Sequence, residues 1–135
     1  ALVGARFHDV GGNNGQGAAY VFVRNGSTWS QQAKLLAVDG VADDSFGSAV
    51  SISGDTAVIS APGDDEVGVT DRGSVYIFVR NGSTWGQQAK IQPTNSGTLV
   101  RGFGESLAFS GNTVLVGTPR ENVVGGNSTQ GTTYV

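Results

Sequence analysis

The chain has 135 residues, of which 22 are glycine and 14% are charged, and it contains no cysteine. This composition is typical of a turn-rich β protein, and it excludes a disulfide framework, a cysteine nucleophile and a His/Cys metal set. The absence of a long apolar run excludes a membrane-spanning helix, and the net charge of −3 argues against a nucleic-acid partner.

Strand patterns follow one another along the chain, separated by clusters of Gly, Asn, Asp and Ser. The first unit is partial, with predicted strands at Leu2–Ala5 and Ala18–Val23. We predict tight turns at Gly54–Asp55 and, as a type I′ pair, at Asn81–Gly82. The chain ends in a predicted strand at Thr132–Val135. The complete central unit has four predicted strands: Ser48–Ser53, Thr56–Ala61, Ser74–Arg80 and Thr84–Ile91.

A long internal repeat organises these strands. Phe22–Lys34 returns as Phe78–Lys90, and the two copies differ only where Ser30 is replaced by Gly86. Single landmarks such as the Trp, Tyr, Phe and Pro residues recur at spacings of 56–58 residues, so the chain is built from repeats. We therefore divide it into a partial unit, a complete unit and a second partial unit: residues 1–45, 46–102 and 103–135.

Each complete unit is predicted to be a four-stranded antiparallel meander. Val75 and Ile77 alternate with Tyr76 and Phe78, so both faces of the sheet are apolar, and neighbouring copies are their natural cover. Such sheets around an axis form an all-β propeller. The chain supplies about ten strands, or about two and a half blades, whereas propellers have roughly four or more. We expect it to self-associate or to be part of a longer propeller.

Short motifs resemble the FG-GAP repeat of integrin α-subunit-type propellers. Phe46–Gly47 is followed by Ala61–Gly63, and Phe103–Gly104 is followed by Thr118–Pro119. The trailing Gly73–Phe78 segment is similar to the bacterial subgroup of that family. The resemblance covers the whole chain and implies an extracellular or cell-surface recognition or adhesion module.

The chain departs from that family in two places. Gly4–Arg6 stands where the proline of the motif would be. Family blades often bind calcium in an Asp-rich loop, but the corresponding positions here are the short turns at Ser53–Thr56 and Ser110–Thr113. Calcium takes about six to eight oxygen ligands, which a two-residue turn cannot supply. We therefore expect no cofactor at the family's calcium position.

One acidic cluster is a local candidate for calcium. It lies in a loop whose other two copies do not repeat the cluster, and the alternative is that the acids cap a turn or face water. The candidate ligands are Asp64, Asp65, Glu66 and Asp71.

In a meander the long connections emerge at one end and the tight turns at the other. Function tends to collect on long loops held by a rigid scaffold. Ten acidic residues and four arginines fall on the long loops, a formal charge of −6, against +3 for the remainder. This predicts an end that attracts cations or basic partners, although acids are also ordinary solvated loop residues. The candidate ligand-binding residues are Asp9, Asp43, Asp44, Arg72, Arg101 and Arg120.

Two further patterns have competing interpretations. Asn25, Asn81 and Asn127 match the N-glycosylation pattern, but turn geometry explains the first two equally well. Trp29 and Trp85 are able to stack on sugars, but their recurring strand positions favour packing between blades.

We carry three hypotheses for function. The first is an extracellular, non-catalytic recognition or adhesion module that binds a protein or glycan with its long loops. The second is a structural or self-assembling repeat segment with no dedicated ligand. The third is an enzyme domain with carboxylate catalysis, for which no residue spacing gives support.

Overall fold

The structure, a computed structural model, describes residues 1–66, 68–94, 99–122 and 130–135, with the backbone alone for residues 99, 120–122 and 130. These residues form no helix, and thus none long and apolar enough to cross a membrane. The strands are β1 (Leu2–Ala5), β2 (Ala18–Asn25), β3 (Thr28–Leu35), β4 (Val50–Ser53), β5 (Thr56–Ala61), β6 (Ser74–Asn81), β7 (Thr84–Ile91), β8 (Leu99–Arg101), β9 (Ser106–Ser110), β10 (Thr113–Asn122) and β11 (Gln130–Tyr134).

The described strands form three antiparallel sheets, which we call the first, second and third blades. The second blade is a complete meander in the order β4-β5-β6-β7. The first blade contains β1-β2-β3, and the third contains β8 to β11 with β10 at its centre. The all-β class and the four-stranded antiparallel meander predicted from the sequence are confirmed.

The third blade contains a strand that the sequence did not predict. The sequence analysis places no strand between Ile91 and Phe103, but β8 lies there and pairs with the far end of β10, with Arg101 opposite Arg120. β9 pairs with the near end of the same strand. β8 and β9 are therefore two parts of one edge, interrupted by the Phe103–Gly104 pair. Val100 of β8 is buried, which explains why so short a segment pairs.

The turn predicted at Asn81–Gly82 is shifted by one residue. Asn81 is the last residue of β6 and pairs with Thr84, so the two central turn residues are Gly82 and Ser83. Gly82 has a φ of 64°, whereas Ser83 has no positive φ. This is the φ pattern of a type II′ turn, which needs glycine at its first central position, rather than the predicted type I′.

The second blade is covered on both faces, as its sequence predicted. Tyr76 and Phe78 lie in one hydrophobic cluster with residues of the first blade. Val58 and Val75 lie in another with residues of the third blade. Full burial of each such side chain is worth about 1.5–3 kcal/mol, so the contacts between blades make up much of the core.

Each Phe–Gly pair of the chain enters a groove on the blade before it. The N–H of Phe46 donates to the carbonyl of Gln16 at 2.9 Å, and Gly47 lies against the carbonyl of Ala18. A Cβ added to Gly17 would overlap the backbone of Phe46, so only glycine fits there. We call this groove the first seat, and its residues are Gly4, Ala5, Gly17 and Ala18.

The same contact recurs between the second and third blades. The N–H of Phe103 donates to the carbonyl of Arg72 at 3.0 Å, and Gly104 lies against the side chain of Ser60. A Cβ added to Gly73 would overlap the backbone of Phe103. We call this groove the second seat, and its residues are Ser60, Gly73, Ser74 and Val75.

Candidate functional site

The long connections meet at one end of the blades, which we call the long-loop end. It comprises residues 6–17, 36–49, 62–73 and 102–105 among those that the structure describes. The two-residue turns lie at the opposite end because the strands are antiparallel and each blade is a meander. The arrangement predicted for the loops therefore follows from the observed strand order.

Two of the predicted acids, Asp9 and Asp65, accept hydrogen bonds from the backbone of their own loops. Asp9 accepts a hydrogen bond from the N–H of Gly15 at 2.8 Å. Asp65, at the same position of the next copy, accepts one from the N–H of Asp71, also at 2.8 Å. A carboxylate that accepts from the backbone of its own loop stabilises a turn. Asp9 and Asp65 thus have a structural role that repeats with the sequence.

Asp64 is turned inward, where it takes part in a buried polar cluster. Its carboxylate lies 2.8 Å from Lys90 Nζ, and it accepts hydrogen bonds from the hydroxyl groups of Ser74 and Tyr76. Lys90 Nζ also donates to Asp39 at 2.7 Å, and the one proton of the Tyr76 hydroxyl is shared between Asp64 and Asp39, whose oxygen lies 3.1 Å away. We call these five residues the lysine network.

A β-bulge explains why Lys90 reaches this network. The register between β6 and β7 shifts after Ile77, so that Lys90 lies opposite Tyr76. Its ammonium group lies 5.3 Å from the centre of the Tyr76 ring. Such a bulge places one extra residue in a strand and re-aims the side chains that follow it.

The network perturbs its neighbours electrostatically. Burial raises the pKa of Asp44 to about 6, and the nearby charges of Asp64 and Asp39 add to this effect. Burial also raises the pKa of Asp39, but the hydrogen bond and charge of Lys90 prevail and hold it below its ordinary value. Burial lowers the pKa of Lys90, but the hydrogen bonds and charges of the two carboxylates outweigh this effect and raise it above its ordinary value. Asp39 and Asp64 therefore share one cation, the ammonium group of Lys90.

The four acids predicted as a calcium site do not converge. Asp64 belongs to the lysine network, while Glu66 forms an ion pair with Arg72. Asp65 faces its own loop, and Asp71 lies 3.8 Å from Arg101. Within the described part of the chain, no group of three or more acidic or histidine side chains could hold a metal ion.

The other ligand-binding candidates divide into buried and exposed residues. Asp44 is 1% exposed and accepts a hydrogen bond from the N–H of Val41 at 2.7 Å. Arg72 donates to the carbonyl of Pro93 at 2.6 Å, in addition to its ion pair. Asp43 and Asp9 are exposed at the long-loop end, and Arg101 is exposed at the adjoining end of β8. The side chain of Arg120 lies outside the described residues.

Two adjoining depressions open at the long-loop end. One, of about 340 Å³, is lined by residues of all three blades, and the other, of about 220 Å³, shares Pro62 and Glu105 with it. Arg6 and Glu105 have no ion pair among the described side chains. The sequence analysis did not single out Ser45, Ser48 or Glu105, because they are single polar residues outside any motif. The lining residues are Arg6, Ser45, Ser48, Pro62 and Glu105 in the first depression and Pro62, Gly63, Asp71, Arg101, Gly102 and Glu105 in the second.

A profile of the FG-GAP repeat matches the chain twice, at residues 29–78 and 85–135. This chain belongs to the FG-GAP repeat family. No curated protein matches it. Each matched FG-GAP repeat begins in the last strand of one blade and ends in a later strand of the next, so a sequence repeat spans parts of two blades. FG-GAP repeats are typically non-catalytic binding or adhesion modules and typically extracellular.

The FG-GAP fold corrects the predicted division of charge. Lys34 and Lys90 were counted with the remainder of the chain, but their ammonium groups contact His8, Asp39 and Asp64 at the long-loop end. Counting the two lysines with the long loops changes the formal charge of that group from −6 to −4, and that of the remainder from +3 to +1.

The two tryptophans of the FG-GAP repeat differ in their surroundings. Trp85 packs against the cluster between the first two blades, and its Nε1 donates to Gln32 at 3.0 Å. This confirms packing between blades for Trp85. Trp29 is 53% exposed. Asn25 and Asn81 are exposed at strand ends, and Asn127 lies outside the described residues, so glycosylation stays a prediction.

Proposed function

We propose that this FG-GAP segment is an extracellular, non-catalytic recognition module that binds a protein or glycan at its long-loop end. The observation that carries the proposal is the pair of adjoining depressions to which three blades contribute loops. A rigid β scaffold that holds several loops around one concave surface is a common arrangement of binding sites.

The chemistry of the depressions favours a polar ligand. Arg6 and Glu105 present opposite charges without an ion pair among the described residues, and the hydroxyl groups of Ser45 and Ser48 lie beside them. The guanidinium group of Arg101 lies 3.8 Å from the carboxylate of Asp71, and both side chains are exposed. Exposed ion pairs contribute about 0–1 kcal/mol, so a ligand is able to replace this one at little cost.

A second candidate function is that of a structural repeat without a dedicated ligand. It is favoured by the internal use of the loop acids: Asp9 and Asp65 fold their own loops, and Asp64 belongs to the lysine network. These contacts account for much of the polar sequence of the loops without any partner.

A glycan and protein array distinguishes the two. We expect the protein that carries this segment to bind a member of the array, and the double variant Arg6→Ala/Arg101→Ala to bind it at least about tenfold more weakly. Arg24→Ala is the control, because Arg24 is an exposed arginine at the tight-turn end. Absence of any ligand, or equal loss in the control, would favour the structural role.

A further inference from the structure

The two depressions at the long-loop end contain arginines whose charge the fold itself leaves largely uncompensated. Arg6 lines the larger depression and is exposed, and its guanidinium group lies 4.4 Å from the centre of the Phe7 ring. It forms no ion pair among the described side chains. Arg101 lines the smaller depression, and its ion pair there is the exposed contact with Asp71 at 3.8 Å. Cations in a concave site attract anionic groups of a ligand.

Strand pairing adds a second source of positive charge beside the smaller depression. The backbones of β8 and β10 pair so that Arg101 lies opposite Arg120. Like charges at directly opposite positions of a sheet are destabilising. A bound anion would relieve this repulsion, so the register of the two strands independently favours an anionic ligand.

The other polar groups of the larger depression are suited to accepting hydrogen bonds. The hydroxyl group of Ser48 already donates to the carbonyl of Ser45 at 2.8 Å, so its remaining capacity is as an acceptor. An ionised carboxylate such as that of Glu105 only accepts. Pro62, which lines both depressions, adds an apolar surface. A ligand that matches these groups combines anions with hydroxyl donors and has an apolar face.

The size and the acceptors of the depressions favour a saccharide over an acidic peptide. The larger depression, of about 340 Å³, lies within the range of small-molecule sites, about 300–1,000 Å³. The smaller one adjoins it, so a short chain of sugar units is able to occupy both. Acidic side chains of a peptide would bring only acceptors toward Glu105, whereas a carboxylated sugar carries hydroxyl donors on the same ring as its anion.

We infer that the ligand of the long-loop end is an oligosaccharide that carries carboxylate groups. Its carboxylates bind Arg6 and Arg101. Its hydroxyl groups donate to Ser48 and Glu105. This inference rests on the proposed function and names the chemical class of the ligand. Uronic acids and sialic acids both supply this combination of groups, and the experiment distinguishes the two sources.

Matched acidic and neutral oligosaccharides test the charge of the ligand. The probes are an oligogalacturonate with its fully methyl-esterified form, and a sialylated oligosaccharide with the same chain lacking sialic acid. We expect the protein that carries this segment to bind an acidic probe at least about tenfold more tightly than its neutral form, because hydrogen bonds to charged groups contribute about 1.5–3 kcal/mol. The acidic probe that binds identifies the source as a uronic acid or a sialic acid.

Single variants test the assigned contacts. Arg6→Gln should weaken binding of the acidic probe by about tenfold or more without weakening that of the neutral form, because glutamine keeps hydrogen-bonding groups but no charge. Glu105→Gln keeps an acceptor oxygen for a sugar hydroxyl, so it should not weaken binding of the acidic probe. Arg24→Gln, at an exposed arginine of the tight-turn end, is the control and should bind as the parent does.

The outcomes separate this inference from the proposed function. Equal affinity for acidic and neutral probes, or binding of only a protein or a neutral glycan, would overturn the inference and leave the proposed function standing. A loss of about tenfold in Glu105→Gln would also overturn it, because the depression would then hold a cationic group. Binding of no probe and of no member of the array would overturn the proposed function and this inference together.

Discussion

His8 and Asp64 occupy the same position in two copies of one loop, and each meets the lysine of its own blade. Lys34 Nζ lies 2.8 Å from His8 Nε2, and Lys90 Nζ lies 2.8 Å from the carboxylate of Asp64. An ammonium group only donates hydrogen bonds, so His8 is the acceptor in the first blade. Two nearly identical strands therefore end in different environments, one with a partly exposed histidine and the other with a buried carboxylate.

Replacing each lysine by methionine measures how much each of the two contacts contributes to the free energy of unfolding. Lys90→Met leaves the carboxylate of Asp64, which is 5% exposed, without its cation, so we expect a loss of about 2 kcal/mol in the free energy of unfolding. Lys34→Met is the matched control, and its exposed contact should cost within about 0.5 kcal/mol. Urea unfolding of both variants measures the difference. Equal losses would show that the lysine network does not stabilise the fold.

Asp44 should make stability depend on pH. Its pKa is about 6 in the folded protein against 3.8 for an ordinary aspartate, so the folded protein holds a proton there that the unfolded chain has released. The free energy of unfolding should therefore fall as the pH rises from about 4 to about 7. The lowered pKa of Asp39 acts in the opposite direction, but only below 3.8, where its stabilising charge is lost.

Asp44→Asn removes this titration. We expect the variant to be more stable than the parent by about 1–2 kcal/mol at pH 7 and equal to it near pH 4. The amide oxygen still accepts the N–H of Val41. Asp43→Asn, at the exposed neighbouring position, is the control and should leave the pH dependence unchanged. Denaturant unfolding across this pH range measures both, and a parallel pH dependence in Asp44→Asn would contradict the assignment.

Ser45 adopts a backbone conformation that suits glycine. Its φ is 59°, and the equivalent position in the third blade is Gly102, with a φ of 72°. Because a side chain is disfavoured in this region, Ser45→Gly should raise the free energy of unfolding by about 0.5 kcal/mol, and Gly102→Ser should lower it by about 1 kcal/mol. Thermal unfolding of the reciprocal pair checks this. Shifts of the same sign in both variants would rule out backbone strain as the cause.

Gly17→Ala tests the first seat. Its Cβ would overlap the backbone of Phe46, and φ at Gly17 is 89°, so we expect a loss of more than about 2 kcal/mol and weaker packing of the first blade. Gly26→Ala has a similar φ of 60° but nothing within 4 Å of its Cβ, and should cost about 1 kcal/mol. Unfolding followed by tryptophan fluorescence compares the two. If Gly17→Ala cost no more than the control, close approach at the seat would not matter.

Strand prediction succeeded where turn residues mark the end of a strand. Thr56–Ala61 and Thr84–Ile91 have the predicted bounds, because a glycine-containing tight turn precedes each of them. The strand Leu99–Arg101 was not predicted, because three residues are too few to show an alternating hydrophobic pattern. Its formation depends on pairing with β10, which is distant in sequence. For the candidate site, the sequence predicted only that it lies at the end where the long loops emerge. Local patterns do not tell whether a loop acid such as Asp64 turns inward or faces solvent.

The sequence by itself determined the repeat, the antiparallel meander, the burial of both faces of the central blade and the end at which the long loops emerge. Those properties depend on side-chain alternation and turn residues, which are local. Only the tertiary structure decided the partners of the charged groups. A single bulge in β7 aims Lys90 at Asp39 and Asp64, and the Phe–Gly pairs join residues of different blades. Contacts between blades depend on how two sheets pack, and the order of residues within one sheet does not encode that distance or direction.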